Sequence, residues 1–478
     1  MKRVVLSLLA AFVMSALPVA QAENISVDLA KDAAAHYMQH NSKLARITPD
    51  QLTLARQWNN EVLGVPSMYL FTAPTEGWII IAATTVMDPI VAFADDNMID
   101  VDNIAPQFEY ILTEHNAMVC AVQNGDAEKP LPDCLSWTVL ANHQLKGTKA
   151  NHIFLKTTWD QGGPWGTDYN MYSPVVNDSV APTGCVATAL AQICKYFQYP
   201  TQPQGSVNYW NDRANVRVKY NLDTVPPLDY SLMPNSLTTN TAIEKKREIS
   251  RLGFYVGLAV KMQFGGSLSG STDENAVNGM KNHFKYSQGL IVSRRYTYDA
   301  NYLTKTRQEM LQERPIYMSG ASQYGGSGHA AGHAWVCDGY RDEDSSMYHM
   351  NWGWGRNGGN GFYNLGSNDM AIAGTYYNFN LAQSIITNMI PAPDVAIDAV
   401  ENEVNLGTPY PNPASLEVVL PYSIREAADM QVYSVSGRLV ASHRLQAGDN
   451  EITLSVAELP SGIYIYRVGD AHGKFIVR

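Results

Sequence analysis

The 478-residue sequence predicts an α+β fold built from three units behind a short leader. Residues 23–145 mix helix-like and strand-like patterns. Residues 152–390 are rich in Gly, Tyr, Trp and Asn, as in a loop-rich domain, and residues 405–478 contain short β-like runs separated by turns. Hydrophobic residues make up 45% of the chain and charged residues 17%. Both proportions are typical of a globular protein, and the length allows several domains with cores of their own.

The first 22 residues have the pattern of a secretory signal peptide. Lys2-Arg3 precede an apolar run from Val4 to Val13, and Ala-Gln-Ala at 20–22 forms a small-x-small cleavage site before Glu23. No later run approaches the roughly 18 apolar residues that a transmembrane helix needs. We therefore expect an exported protein without a transmembrane segment, either secreted or attached to the outer cell surface.

The charge balance excludes one class of partner. The chain has 34 Lys and Arg against 45 Asp and Glu, so its formal net charge is −11. Nucleic-acid-binding proteins carry a strongly positive face, and recruitment to an anionic membrane needs a polybasic patch. We therefore expect no nucleic-acid partner, and the sequence offers no polybasic membrane contact.

The unit at residues 23–150 contains both helices and strands. Asp28–Met38 is Ala-rich with helical spacing, and Phe108–Val122 is also predicted as a helix. Ser67–Phe71 and Gly77–Ala83 are predicted as two strands joined by a Pro/Gly turn. The polar stretch 143–151 is predicted as an exposed linker, in which two lysines suit proteolytic nicking.

The unit at residues 151–390 holds a second set of elements. A Pro/Gly-rich loop leads into a helix that starts at Cys185, and residues 242–256 have a helical period of apolar side chains. Ile316–Met318 and Ala334–Cys337 are predicted as strands. Residues 391–404 then form a second linker.

The C-terminal unit, residues 405–478, is predicted to be a small β-sandwich. Turns such as Ala447-Gly448-Asp449 separate its short runs. The predicted strands are Glu417–Pro421, Met430–Tyr433, Arg438–Ala441, Glu451–Leu454 and Gly462–Val468.

Five cysteines leave at least one thiol free, since the count is odd. Cys120 and Cys134 could pair with each other, as exported proteins tend to pair their cysteines, or they could be separate buried residues. Cys194 falls inside a helical run and Cys337 inside an apolar strand, so both are predicted to fill the core.

Cys185 is the candidate nucleophile. The first turn of a helix presents unpaired backbone N–H groups and the positive end of the helix dipole, which favour a thiolate over a thiol. A cysteine in this place can therefore be reactive near neutral pH. The alternative is a buried helical cysteine without chemistry.

Partners for such a nucleophile follow further along the chain. His333, just before an apolar strand, is the candidate base and acid, and His329 in a Gly/Ser-rich loop is its weaker rival. The amide oxygen of Asn351 is predicted to accept from the imidazole and fix the ring, while Trp352 shields that bond or packs on the ring. Alternatively, the Trp/Gly run simply fills the core.

Gln161 is the candidate side-chain donor for an oxyanion hole, with the backbone N–H of Cys185 as the second donor. The glycine-rich runs 264–271 and 319–320 are predicted to be substrate-binding walls. No run has phosphate-loop spacing and no His/Cys/Asp cluster has metal-ligand spacing, so we expect no cofactor and no metal.

These motifs resemble those of streptopain-type secreted cysteine peptidases. The matching segments are Thr-Gly-Cys-Val-Ala-Thr-Ala-x-Ala-Gln-Ile at 183–193, Gly-His-Ala-x-Val-x-Asp-Gly at 332–339, Asn-Trp-Gly-Trp-Gly at 351–355 and Trp-x-Gln-Gly at 159–162. The resemblance implies a papain-like, two-lobed domain over 151–390 and a zymogen in which residues 23–150 form an inhibitory pro-domain. It assigns catalysis to Cys185 and His333, with Trp352 supporting the histidine. Ser319 stands where that family has a glutamine, which leaves side-chain preference open.

Residues 405–478 resemble the C-terminal sorting domain of the type IX secretion system. The similarity lies in Tyr-Pro-Asn-Pro at 410–413, Gly-Ile-Tyr at 462–464 and the terminal Gly-Lys-Phe-Ile-Val at 473–477. It implies secretion machinery as a partner.

The leading hypothesis is a secreted cysteine endopeptidase that acts on proteins or peptides through a thioester acyl-enzyme. A transamidase or amidase acting on cell-wall peptides would use the same residues. A third hypothesis is a surface adhesin or inactive decoy on the same scaffold. The sequence leaves open the preferred side chains, the physiological substrate, the activation site and the oligomeric state.

Overall fold

The computed structural model describes residues 23–126, 135–162, 167–323, 331–342, 344–365, 371–372, 375–392, 404–424, 426–435, 438–469 and 471–478. The predicted signal peptide and most of the predicted linker 391–404 lie outside the described residues. The chain divides at residues 393 and 394 into two compact units, which are described separately.

The N-terminal part of the first unit is a four-stranded antiparallel meander with helices on both faces. Its elements are α1 Val27–Asn41, β1 Thr53–Asn60, β2 Val65–Thr72, β3 Trp78–Ala82, β4 Ile90–Ala94, α2 Pro106–Gln123 and α3 Trp137–Ala141, with a 3-10 turn at Pro49–Gln51. The helices and strands predicted here are present, each within a few residues of its predicted bounds.

The pleat of β2 and β3 explains why helices cover both faces of this meander. Tyr69 and Phe71 point into a core cluster that contains the alanines of α1, whereas Met68 and Leu70 point into a cluster that contains Phe108 of α2. Successive side chains of a strand face opposite sides, and here both sides are buried. The strands are therefore continuously apolar.

The central part of the first unit contains helices α4 to α7 and strands β5 to β17, with 3-10 turns at Leu222–Thr224 and Tyr230–Leu232. The elements in chain order are β5 Asn151–Ile153, β6 Val175–Val176, β7 Ser179–Val180, α4 Cys185–Phe197, β8 Ser206–Asn211, β9 Val216–Asn221, α5 Ile243–Ala259, α6 Asp273–His283, β10 Ile291–Arg295, α7 Ala300–Leu311, β11 Ile316–Ser322, β12 Ala331–Arg341, β13 Asp344–Asn351, β14 Gly361–Asn364, β15 Ala371–Ile372, β16 Thr375–Tyr376 and β17 Leu381–Thr387.

One sheet runs through both parts of the first unit. Its strand order is β1-β2-β3-β4-β14-β13-β12-β11-β17-β10, and β5 pairs with β12. The joint is the antiparallel pair β4–β14, where Phe362 lies opposite Phe93 with ring centroids 5.0 Å apart. Gly361 is required at this joint, because a Cβ there would lie 2.7 Å from the Phe93 carbonyl oxygen. The stretch before β5 is mostly exposed, as the linker prediction requires.

Strand β12 separates two cores. Ala334 and Val336 belong to the cluster that contains α4 and α5. Trp335 and Cys337 belong to the cluster that contains Phe108 and other side chains of α2. Alternate residues of one strand therefore face the helical layer of the central part and the layer that α2 covers.

The second unit is a small β-sandwich, as predicted. Its strands are β18 Asn405–Leu406, β19 Glu417–Ile424, β20 Ala428–Ser434, β21 Leu439–Leu445, β22 Gly448–Ser455, β23 Gly462–Val468 and β24 Ala471–Val477. They form the sheets β18-β19-β22 and β21-β20-β23-β24, whose inward residues share one core. Strand β24, which forms a hairpin with β23, was not predicted as a strand.

Cys194 and Cys337 are buried, as predicted for core residues, and Cys120 is half-buried. Cys134 lies outside the described residues, so its pairing with Cys120 stays an open alternative. No helix in the described ranges is both long and apolar enough to cross a membrane.

Helix α2 brings two buried titratable side chains to the central part. The Glu114 carboxylate accepts hydrogen bonds from the Ser322 hydroxyl and from the backbone N–H of Asn378. The Asn378 amide donates to Nδ1 of His115 over 3.1 Å, and His115 stacks on Tyr363. Burial raises the pKa of Glu114 and lowers that of His115 from 6.5 to about 4.

We predict that the first unit loses stability as the pH falls from 6.5 to 4. The unfolded chain protonates His115 in this window and the folded chain does not, so His115 lowers the free energy of unfolding by up to ~3 kcal/mol. His333, whose pKa burial lowers to about 3, acts in the same sense. His115→Gln, which keeps an acceptor for Asn378, should therefore reduce the pH dependence by the contribution of His115 and leave that of His333. All nine tryptophans precede residue 393, so tryptophan fluorescence during urea unfolding reports this unit, and a Cys185→Ala background keeps the chain intact.

Glu114→Gln is the matched control, because Glu114 contributes to the pH dependence of stability with the opposite sign to His115. The raised pKa of Glu114 gives stability in the protonated form that is lost as the pH rises. Its removal should therefore steepen the acid dependence. Parallel profiles for the wild type and His115→Gln would contradict the prediction.

Candidate active site

Cys185 is the first residue of α4, as predicted. Gly184 precedes it with a positive φ of 85°, and a Cβ at Gly184 would lie 2.9 Å from the carbonyl oxygen of Ser269. Only glycine combines this backbone conformation with so close an approach. The tight loop places the Cys185 side chain at the N-terminal end of the helix.

The thiol form of Cys185 is favoured in this structure. Burial raises the pKa of the thiol, and the nearby backbone groups of Ala334 and Val186 have the smaller, opposite effect. The expectation of a thiolate near neutral pH is therefore not met here, because desolvation of the sulfur outweighs the stabilisation by the start of the helix.

His333 is held by a backbone carbonyl. Its Nε2 lies 2.9 Å from the carbonyl oxygen of Trp352. A carbonyl can only accept, so Nε2 carries the hydrogen and Nδ1 is left as the basic nitrogen. Burial lowers the pKa of His333 to about 3, and the Trp352 carbonyl acts in the opposite direction. The ring is neutral.

Four aromatic rings surround His333. Trp354 stacks on it with a centroid distance of 4.5 Å, Phe379 lies at 5.3 Å, Trp335 at 5.9 Å and Trp352 at 6.2 Å. The Trp/Gly run thus fills the core and also excludes water from the imidazole. The two interpretations of this run are compatible.

Asn351 has a different role from the one predicted. Its Oδ1 accepts from Nε2 of Gln192 over 3.1 Å and from the backbone N–H of Gly353 over 3.3 Å, and its Nδ2 donates to the carbonyl of Thr157 over 2.7 Å. The predicted hydrogen bond from the imidazole to Asn351 is replaced by the one to the Trp352 carbonyl. Oδ1 of Asn351 is occupied by the hydrogen bond from Gln192, which lies on the buried face of α4.

Gln192 is a residue that the sequence analysis missed. It is fully buried in α4. Its Nε2 donates to Oδ1 of Asn351, and its Oε1 accepts from the Thr157 hydroxyl over 2.8 Å. A glutamine within an otherwise apolar helix was the available signal, since a buried polar side chain needs partners.

The backbone of Gln161 lies beside the turn that precedes Cys185, and its predicted side-chain role stays a prediction. Its backbone carbonyl accepts from the N–H of Gly184 over 3.3 Å, so it is held next to the residue that precedes Cys185. The rival histidine, His329, lies outside the described residues.

The structure brings the Cys185 side chain to β12, one residue away from His333. The Cys185 sulfur lies against the backbone of Ala334, the residue that follows His333. No hydrogen bond joins this sulfur to the imidazole within the described part of the chain. His333 instead shares the aromatic surroundings of Trp335, on the face of β12 that α2 covers.

Three family models match the chain. Residues 159–363 match the Peptidase C10 family, residues 22–119 match the Spi protease inhibitor, and residues 408–478 match the secretion system C-terminal sorting domain. The three matched ranges lie in the same order along the chain as the pro-domain, peptidase domain and sorting domain that the resemblance of the motifs implies.

The chain is also similar to individual proteins. It is 28% identical over 397 residues to streptopain of Streptococcus pyogenes, covering 76% of this chain and 91% of that protein. It is 27% identical over 297 residues to the thiol protease/hemagglutinin PrtT of Porphyromonas gingivalis, covering 60% of this chain but only 32% of that protein. The chain therefore spans about a third of the length of PrtT.

A solved structure shares the fold. A prointerpain A fragment of Prevotella intermedia superposes with a TM-score of 0.54 at 23% identity, over 72% of this chain and 99% of the fragment. The predicted α+β, papain-like fold behind an inhibitor-like N-terminal domain is confirmed.

We predict that Asn351→Ala lowers the stability of the first unit by ~1–3 kcal/mol, because it removes the partners of the buried Gln192 Nε2 and of the Thr157 carbonyl. Turnover should fall indirectly, through displacement of the Trp352 carbonyl. The measurements are urea unfolding and peptide turnover per titrated active site, with the exposed Asn208→Ala as control. Full stability with a shifted pH profile of kcat/KM would instead mean that Asn351 acts on the imidazole itself.

Proposed function

We propose that this chain, which belongs to the Peptidase C10 family of streptopain-like cysteine peptidases, hydrolyses peptide bonds with Cys185 as nucleophile and His333 as general base and acid. The observation that carries the proposal is the placement of the Cys185 sulfur at the start of α4, against the backbone of Ala334. His333 is the preceding residue, so a local rearrangement of its side chain is enough to pair the two groups.

The reaction begins with transfer of the Cys185 proton to Nδ1 of His333, the nitrogen that the Trp352 hydrogen bond leaves free. The resulting sulfur anion attacks the peptide carbonyl, and the carbonyl oxygen takes up the negative charge. The imidazolium then gives its proton to the leaving amine as the C–N bond breaks, which leaves a thioester. Water, deprotonated by the imidazole, hydrolyses the thioester and releases the acid and the thiol.

The oxyanion requires donors that are in place before the charge develops. The Cys185 backbone N–H lies at the open N-terminal end of α4, where it has no partner within the helix. We assign the second donor to the Gln161 side chain, whose backbone is fixed beside Gly184. The imidazolium that forms during turnover is stabilised by the Trp352 carbonyl.

The chain is made as a zymogen, and we assign its inhibition to residues 23–150. In the form described here the thiol is protonated and the imidazole lies among aromatic rings, so the thiolate–imidazolium pair is suppressed. The aromatic rings belong to the same core cluster as Phe108 and Ile111 of α2. Removal of α2 exposes this cluster, which lets the imidazole turn towards Cys185.

We place the activation cut in the exposed stretch 143–150. This stretch precedes β5, which remains paired to β12 through Ile153 and Gly339, so cleavage before it leaves the catalytic sheet intact. For residues 405–478 we propose recognition by the secretion machinery, followed by release or attachment at the cell surface.

We predict that Cys185→Ala abolishes cleavage of casein and leaves the secreted chain unprocessed. The variant retains the fold but has no nucleophile, so the loss should reach the background of the assay. Cys194→Ala, in the same helix but buried in the core, is the matched control and should remain active. Casein cleavage by the Cys185→Ala protein would exclude the proposed mechanism.

We further predict that a peptidyl epoxide labels Cys185 at least tenfold faster after processing than before it, because processing exposes the aromatic cluster around His333 and lets the imidazole take up the thiol proton. Labelling is followed by mass spectrometry of the intact and processed chains. Equal rates would contradict pro-domain control, and the absence of label after processing would favour an inactive decoy. Products cross-linked to an added amine would identify a transamidase.

A further inference from the structure

Two segments form walls beside Cys185. The loop at 264–271 touches the nucleophile's own turn, since Gly184 packs on the backbone of Ser269. The second wall is the end of β11. This strand is paired on both sides, to β12 and β17, yet Ser319, Gly320 and Ala321 are half-exposed, whereas residues 316–318 are buried. This end of a central strand is therefore accessible to a bound peptide.

The second wall lies next to the catalytic residues. In the β11–β12 register, Ser319 is opposite Ala334 and Gly320 is opposite His333. Ala334 is the residue whose backbone meets the Cys185 sulfur. A peptide whose carbonyl reaches this sulfur therefore has a neighbouring side chain over Ser319.

Asp273 joins the two walls. The loop at 264–271 leads directly into α6, whose first residue is Asp273. Its carboxylate is not used to cap the helix, because the Thr272 side chain accepts from the N–H of Asn275. Instead Oδ1 of Asp273 accepts from the Ser319 hydroxyl over 2.7 Å, and Oδ2 accepts from Arg294 over 2.9 Å.

We infer that Asp273 is a specificity-determining residue, and that it selects substrates with a basic side chain in the subsite between the loop 264–271 and Ser319–Ala321. The inference rests on the proposed peptidase function. A carboxylate whose side chain is 11% exposed, at the junction of two cleft walls, presents a negative charge in a largely desolvated place. An arginine or lysine of the substrate complements that charge, whereas an aliphatic side chain leaves it without a new partner.

Arg294 is the internal competitor for this carboxylate. It forms a single hydrogen bond to Asp273, and its Nε donates to the Ser384 hydroxyl over 2.9 Å. The Arg294 side chain is 47% exposed, so it can turn into solvent while a substrate cation takes its place at the carboxylate. Ser319 is short, which leaves room above it for the incoming side chain.

The test uses the full chain, allowed to process itself and titrated with a peptidyl epoxide, with a fluorogenic peptide library varied at each of the three residues before the scissile bond. The wild type should prefer Arg or Lys to Leu at one position, at least tenfold in kcat/KM. Asp273→Asn should lower this ratio at least tenfold through a higher KM for the basic peptides. Arg294→Ala should raise the ratio, because it removes the competitor.

Glu244→Gln is the matched control, since Glu244 is an exposed carboxylate in the first turn of α5. It should leave the ratio unchanged. The inference is overturned if no position prefers a basic residue, if Asp273→Asn keeps the ratio, or if Arg294→Ala does not raise it. Epoxide titration of each variant separates these outcomes from misfolding. Failure of the peptidase proposal is distinct, because either the wild type would then take up no epoxide and cleave no peptide, or Cys185→Ala would still cleave the library.

Discussion

The pleat of β12 is the constraint on which the site depends. Because successive side chains of a strand point to opposite faces, Ala334 and Val336 face α4 and its nucleophile, whereas Trp335 and Cys337 face the layer that α2 covers. His333, among the aromatic rings of that layer, belongs to the second set. Cys185 and His333 are therefore divided between two cores that meet at one strand, and under the proposed function the packing on the α2 side governs whether they can pair.

Under the proposed function, desolvation keeps Cys185 and His333 in their inactive, neutral forms. Burial acts on both members in the same sense: it raises the pKa of the Cys185 thiol and lowers the pKa of the His333 imidazole. Each shift favours the neutral form, and together they oppose transfer of a proton from sulfur to nitrogen. The described core around Cys185 consists of residues of the central part, so the proposed inhibition by the pro-domain acts through the surroundings of His333.

The local features of the site could be predicted from the sequence, and the long-range ones could not. The start of α4 at Cys185 and the strand after His333 follow from glycine placement and apolar runs. The role of Asn351 does not, because the choice between its amide oxygen and the Trp352 carbonyl depends on Gln192, which is 159 positions away in the chain. The pairing of β4 with β14 could not be predicted from the sequence either, because residues 93 and 362 are far apart in the chain and meet only in the folded sheet.

A backbone carbonyl as the partner of His333 has a physical consequence. A side-chain acceptor can rotate, but the Trp352 carbonyl is positioned by the backbone on either side of it. Asn351 fixes that backbone from one side through the Thr157 carbonyl, and it also binds the N–H of Gly353, whose positive φ of 72° turns the chain. The Trp352 ring packs in the aromatic cluster, whereas the Trp352 carbonyl orients the imidazole. The contacts of Asn351 and Gly353 hold the turn that carries this carbonyl. The bond that fixes the tautomer of His333 is thus held in place by the backbone and by the two contacts of Asn351.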